Sequence, residues 1–211
     1  MHLLERLLLC CAAVAVAPTA SATVLVSNIG EPRRATTTID GGFWAAQGFF
    51  NDGSASTLTS IRTVLGDATG IPNAFAELRQ GSTLGAVVAS FALPSLAGPS
   101  SARTLAPLGV VSLAPNETYY LIMGINGPGS FGWSYAEGNA FIGTGGFVNY
   151  EYSTDQGVSW VNFGGDNPYL LEVNVMAGAV PEPAAWLLMI AGLGATGAAM
   201  RKRRARLRFA F

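Results

Sequence analysis

Between Thr23 and Val180 no stretch keeps the apolar period of about 3.6 residues that would mark an amphipathic helix; short β-branched and aromatic runs instead alternate with turn sequences. The runs at 24–29, 43–50, 58–65, 74–80, 86–93, 104–113, 118–125, 131–136, 146–152, 159–163 and 169–176 read as strands. Asn51-Asp52-Gly53, Gly66-Asp67, Asn126-Gly127-Pro128-Gly129, Asp155-Gln156-Gly157 and Asn167-Pro168 punctuate them with residues that favour turns. Leu171, Val173 and Val175 alternate with Glu172 and Asn174, which gives the last run one apolar face. No repeat or low-complexity linker divides the region. The expectation is an all-β fold: residues 23–179 form one antiparallel β-sandwich of the jelly-roll type.

The same region contains no Cys, His or Lys, because Cys10, Cys11, His2 and Lys202 all lie outside it. That removes Ser-His-Asp and Cys-His triads, imidazole-ligated zinc, thiol redox chemistry and Schiff-base lysines. Folding stability must then come from the core, not from disulfides. Five Arg against eleven carboxylates leave residues 23–180 at −6, which argues against nucleic acid as a partner. Carboxylates permit a glycosidase pair, but Asp52, Asp67, Asp155 and Asp166 sit in turn signals, where Asp bonds its own backbone. Asp155, Asp166 and Asn167 offer oxygens to calcium without forming an EF-hand loop, so no metal and no cofactor is expected. Trp133, Tyr135, Trp160 and Tyr169 are the candidates for a platform on which sugar rings stack, core packing being the alternative. Arg33 and Arg34 form an isolated pair in a polar loop.

The two ends read as addresses. Residues 1–22 have a short polar start, an eleven-residue apolar run at 7–17, and Ala20-Ser21-Ala22 before the expected cut by signal peptidase. That run would span about 16 Å as a helix, too short for a hydrocarbon core of about 30 Å. Residues 184–200 carry no charge and would rise about 25 Å as a transmembrane helix. Arg201, Lys202, Arg203 and Arg204 follow, a basic cluster expected on the cytoplasmic side, which places the preceding domain outside. Gly192-Leu193-Gly194-Ala195-Thr196-Gly197 matches the dinucleotide fingerprint in letters only. It lies mid-helix, not at a strand-to-helix turn, and small residues there serve close helix packing.

Pro181-Glu182-Pro183, the apolar helix opening near Trp186 and the Arg-rich end together resemble the PEP-CTERM sorting signal of Gram-negative bacteria, over residues 180–208. The resemblance implies recognition and processing by exosortase, with the two prolines holding Glu182 extended. Phe43-Trp44-Ala45-Ala46-Gln47-Gly48-Phe49, Leu58-Thr59-Ser60-Ile61, Thr118-Tyr119-Tyr120-Leu121-Ile122, Gly132-Trp133-Ser134-Tyr135 and Gly157-Val158-Ser159-Trp160 resemble a choice-of-anchor domain, most similar to type R. That family brings no catalytic residues to transfer. The leading expectation is an exported, non-catalytic surface or extracellular-matrix protein, held by its C-terminal helix in the membrane until processed. The alternative is a carbohydrate-binding module for exopolysaccharide, and a carboxylate-based glycoside hydrolase ranks below both.

Overall fold

The computed structural model describes residues 22–71, 73–177, 189–197 and 201. The chain divides into two compact units, Met1–Gly178 and Ala179–Phe211. Most of the expected signal peptide lies outside the described residues, as do Pro181, Glu182, Pro183, Lys202, Arg203 and Arg204.

The first unit is built from antiparallel strands: β1 (Ala22–Ser27), β2 (Arg33–Asp40), β3 (Trp44–Asn51), β4 (Ser56–Thr69), β5 (Ala74–Gln80), β6 (Val87–Ala92), β7 (Ser101–Pro107), β8 (Val111–Leu113), β9 (Glu117–Ile125), β10 (Ser130–Ala136), β11 (Ile142–Gly143), β12 (Gly146–Ser153), β13 (Val161–Asn162) and β14 (Leu171–Ala177). They form one curled sheet in the order β11-β1-β14-β4-β7-β6-β5-β9-β3-β12-β13, with β8 and β10 also on β4 and β2 on β10. The curl brings the β1/β14/β4 half and the β5/β9/β3 half over a common core. Leu25, Ile61, Leu65, Phe131 and Val173 from the first half belong to the same apolar cluster as Phe49, Leu78, Leu121 and Met123 from the second.

All eleven expected runs overlap an observed strand. The run at 104–113 divides into β7 and β8, because Leu108, Gly109 and Val110 turn outward after Pro107 and are exposed. The expected polar loop around Arg33 and Arg34 is instead strand β2, paired along its length with β10. Only Ile39 of β2 is buried, so the strand lacks the apolar alternation that would announce it. Its threonines suit a half-exposed edge.

Two bulges flank β14. The register between β1 and β14 skips Leu25, and that between β4 and β14 skips Thr59. Each extra residue reverses the strand's alternation, which is why Leu25 and Val26 are both buried, and why Leu58 and Ile61 face the core at an odd spacing. Thr59 Oγ1 donates to the Asn174 carbonyl at the second bulge (2.9 Å). On the outer side of β14, burial alone would raise the Glu172 carboxyl. Hydrogen bonds from Asn174, Arg62 and Ser27, with the charge of Arg62, outweigh burial and hold it below the usual carboxylate range.

The approach to β14, residues 168–170, has only one bridge to a strand, between Tyr135 and Tyr169. Its backbone groups are satisfied by buried side chains and by β10 instead. Tyr169 N–H donates to Gln47 Oε1 (2.8 Å), Asn28 Nδ2 donates to the Tyr169 carbonyl (3.1 Å), and Leu171 N–H donates to Asn28 Oδ1 (2.7 Å). Leu170 N–H donates to the Ser134 carbonyl and Ala136 N–H to that of Pro168, each at 2.9 Å. Thr63 Oγ1 accepts from Trp133 Nε1 (2.7 Å) and donates to the Leu170 carbonyl (2.7 Å). All three partners of this relay are buried.

In the second unit, residues 189–197 are helical and include Gly192 to Gly197, so no strand-to-helix turn stands at the glycine motif. Among the described residues no helix is long and apolar enough to cross a membrane.

Thr63→Val keeps the volume of the side chain but strands the Trp133 N–H and the Leu170 carbonyl. Leaving two buried polar groups unpaired should cost about 2–5 kcal/mol, read as a lower urea midpoint with an unchanged slope. Serine at the same position should recover most of the loss.

Candidate functional site

An open cleft of about 550 Å³ is lined by Arg34, Thr37, Phe43, Tyr135, Tyr150, Tyr152, Phe163, Asn167 and Tyr169. Its volume lies within the range of small-molecule sites. The residues come from β2, the turn before β3, β10, β12, the residue after β13 and the approach to β14, so the cleft exists only once the curl is closed. Tyr150 and Tyr152 share one face of β12 by alternation, while Asn149 and Glu151 point the other way.

Ring contacts run without interruption along the cleft. Phe43 stacks on Tyr152 at 5.4 Å, Tyr152 meets Phe163 at 5.8 Å, and Phe163 meets Tyr150 at 5.3 Å. Tyr150 and Tyr135 then each meet Tyr169 edge-on, at 5.8 and 6.3 Å. Beneath them Trp133 lies stacked against Tyr169 with ring centroids 4.1 Å apart. The relay through Thr63 fixes Trp133, and Trp133 in turn fixes the plane of Tyr169.

Apart from the tyrosine hydroxyls, the polar groups of the cleft are Arg34, Thr37 and Asn167. Arg34 Nη1 donates to Asn167 Oδ1 (3.1 Å), which also accepts from Gly138 N–H (3.2 Å). Asn167 holds this position with φ of 60°, a left-handed conformation that Asn tolerates better than most residues. Tyr169 O–H donates to Thr37 Oγ1 (3.2 Å). Among the described residues no hydrogen-bond partner meets the hydroxyls of Tyr135, Tyr150 or Tyr152, each of which is half-buried. Burial pushes the Tyr150 phenol up, with Tyr135 and Asp166 adding to the rise and the Arg34 charge opposing it. Burial drives the Tyr169 phenol further, to about 12, against the hydrogen bond to Thr37.

Of the four aromatic residues expected to form a stacking platform, the structure brings Tyr135 and Tyr169 into the cleft and leaves the two indoles out. Trp133 is a core residue with no accessible surface, so neither ring face is open to a ligand. Trp160 packs on a separate small cluster of Ala46, Tyr120 and Ile122, and its Nε1 donates to the Gly157 carbonyl (3.2 Å). The cleft residues that the sequence did not single out as site residues are Phe43, Tyr150, Tyr152, Phe163, Thr37 and Arg34. The tyrosine pair two apart on one strand was the available signal.

The oxygens considered for calcium are already engaged: Asp155 with Ser153 and Ser159, Asp166 with Asn139, and Asn167 with Arg34. Hydrogen bonds from Ser159 and Ser153 lower the exposed Asp155 carboxyl to about 2. Among the described residues no group of three His, Cys, Asp or Glu gathers around a common point.

A family model for the PEP-CTERM protein-sorting motif matches residues 179–204. The chain carries that sorting motif. The match covers the C-terminal segment where Pro181-Glu182-Pro183 and the basic cluster from Arg201 to Arg204 stand, and it leaves the β unit outside. The PEP-CTERM match points to export, exosortase processing and sorting to the cell surface. No curated protein sequence matches the chain.

Tyr169 also sets an alkaline limit. Its phenol ionises near pH 10 in an unfolded chain and at about 12 in the fold. A raised folded pKa gives stability that is complete below pH 10 and is lost as pH rises toward 12. Chemical denaturation at pH 9, 10.5 and 12 should show this decline, and Tyr169→Phe should flatten the part that Tyr169 contributes.

Proposed function

We propose that this protein is an exosortase-sorted, non-catalytic component of the surface or extracellular matrix of a Gram-negative bacterium. The PEP-CTERM motif at 179–204 is the observation that carries the reading. In this reading signal peptidase removes residues 1–22, leaving Thr23 to pair with Val175 in β1. Residues 184–200 hold the chain in the membrane as a transient helix, with Arg201, Lys202, Arg203 and Arg204 on the cytoplasmic side. Exosortase then acts at Pro181-Glu182-Pro183. The β unit is a jelly roll of the choice-of-anchor kind. Its support is the path β1-β14-β4-β7 continuing into β6-β5-β9-β3, in which strands distant in sequence alternate as two Greek keys require. Mass spectrometry of the mature protein from its host should find the C-terminal segment removed when exosortase is present and retained when it is deleted. Glu182→Ala should retain it in both. Persistence of an intact end through Phe211 in the wild-type host would reject the sorting role.

The aromatic cleft favours a second, compatible reading, in which the β unit binds carbohydrate in the exopolysaccharide around the cell. A pyranose ring has apolar C–H faces and a rim of hydroxyls. It therefore suits a belt of aromatic rings interspersed with a few polar groups. No carboxylate lines the cleft, and glycoside hydrolysis of the common type needs two, so binding is the better account. Tyr152→Ala removes a ring that touches both Phe43 and Phe163, and should weaken retention on an exopolysaccharide affinity gel about tenfold. Trp160→Ala, altered outside the cleft, should leave retention unchanged.

A further inference from the structure

The cleft contains one charged side chain, Arg34, and that charge has no carboxylate partner. The two ion pairs among the described residues are Arg62 with Glu172 and Arg79 with Glu77. A smaller hollow beside Trp44 and Phe75 holds the second of these pairs on its lining, so its charge is already balanced. Arg34 instead gives one N–H to the neutral amide of Asn167, leaving most of its five donors for a ligand. Asn167 is itself anchored by Gly138 N–H, and the hydrogen bond from Arg34, which is exposed, directs the guanidinium toward this side of the cleft. Arg33 beside it is exposed and adds to the positive charge. The carboxylates nearby are Asp166, on the loop before Asn167, which accepts from Asn139 Nδ2 (3.1 Å), and Glu137, whose N–H donates to the Pro32 carbonyl beside Arg33 (2.9 Å); both are exposed and neither lines the cleft.

An unpaired arginine at the end of a carboxylate-free aromatic cleft is a site for an anion attached to an apolar ring. Resting on the reading of the cleft as a carbohydrate site, we propose that it selects uronic-acid glycans, with Arg34 forming the hydrogen-bonded ion pair to the sugar carboxylate and Tyr150 and Tyr152 carrying the ring. The planar fork of guanidinium matches a carboxylate with two parallel bonds, which a lysine cannot reproduce. The hydroxyls of Tyr135 and Tyr150, half-buried and unpartnered, then supply donors to the ring hydroxyls. The charge of −6 over residues 23–180 makes this local positive end a filter. An acidic polymer is repelled over most of the surface and is accepted where Arg34 stands.

The test is isothermal titration of the full-length chain in nonionic detergent with two probes, a galacturonate hexamer and the same hexamer reduced at its carboxyls to neutral galactose. At low salt the charged hexamer should bind about ten- to hundredfold more tightly, and added salt should narrow the gap. Arg34→Gln should abolish the difference while keeping the affinity for the neutral hexamer, and Arg34→Lys should restore only part of it. Arg33→Gln should preserve the preference, and Tyr152→Ala should weaken both probes together. An unchanged melting temperature in the Arg34 variants excludes misfolding as the cause. Equal affinity for the two hexamers, or a preference that survives Arg34→Gln, overturns the uronate assignment and leaves carbohydrate binding standing. The same holds if a panel of neutral oligosaccharides binds and the galacturonate hexamer does not. If no member of either set binds, the carbohydrate reading of the cleft falls with it.

Discussion

The Thr63 hydroxyl, caught between the Trp133 indole and the Leu170 carbonyl, is the contact on which the interior depends. Burying an indole N–H and a carbonyl in an apolar core is costly unless both are paired. One hydroxyl pairs both, and it can do so only in one register of β4, β10 and the segment leading into β14. Asn28 and Gln47 act in the same way on neighbouring groups of that segment. Apolar packing alone would let the two halves of the curl slide. These buried amides and hydroxyls allow a single alignment, because any other leaves several groups unsatisfied.

The cleft inherits its order from this arrangement. Tyr169 is fixed from below by Trp133, through its backbone by Gln47 and Asn28, and at its hydroxyl by Thr37. Tyr150 and Tyr135 lean edge-on against it from two other strands. The rings facing solvent therefore rest on a buried, immobile one, and a ligand meeting them has little side-chain ordering to offset. Asn167, one residue before Pro168, ties the charged end of the cleft to the same segment.

How far these features were legible in the sequence varies with their physics. β14 was plain, because Leu171, Val173 and Val175 are buried by strict alternation. β2 was hidden, because an edge strand with one buried residue reads like a polar loop until its neighbour β10 is seen. The bulges at Leu25 and Thr59 were hidden for the opposite reason: they break the alternation that sequence reading relies on. Within the site, Tyr135 and Tyr169 could be picked out as aromatics near turn signals, but so could Trp133 and Trp160. Residue type does not tell which side of a sheet a ring occupies. Arg34 became meaningful only when the fold brought Asn167 to it, across a sequence separation of 133 residues.

The last strand of the β unit is not at an edge. β14 lies between β1 and β4, bonded to both along its length, and the sorting motif follows within two residues of Ala177. Ladder bonds in antiparallel strands run across the chain direction, so tension drawn through the C-terminal end of β14 loads both ladders in shear, many bonds at once, and does not peel them one by one. The aromatic cleft stands at the other end of the same strand, next to Tyr169. A pull between the cleft end and the C-terminal end of β14 would travel along that strand itself, shared between the ladders to β1 and β4.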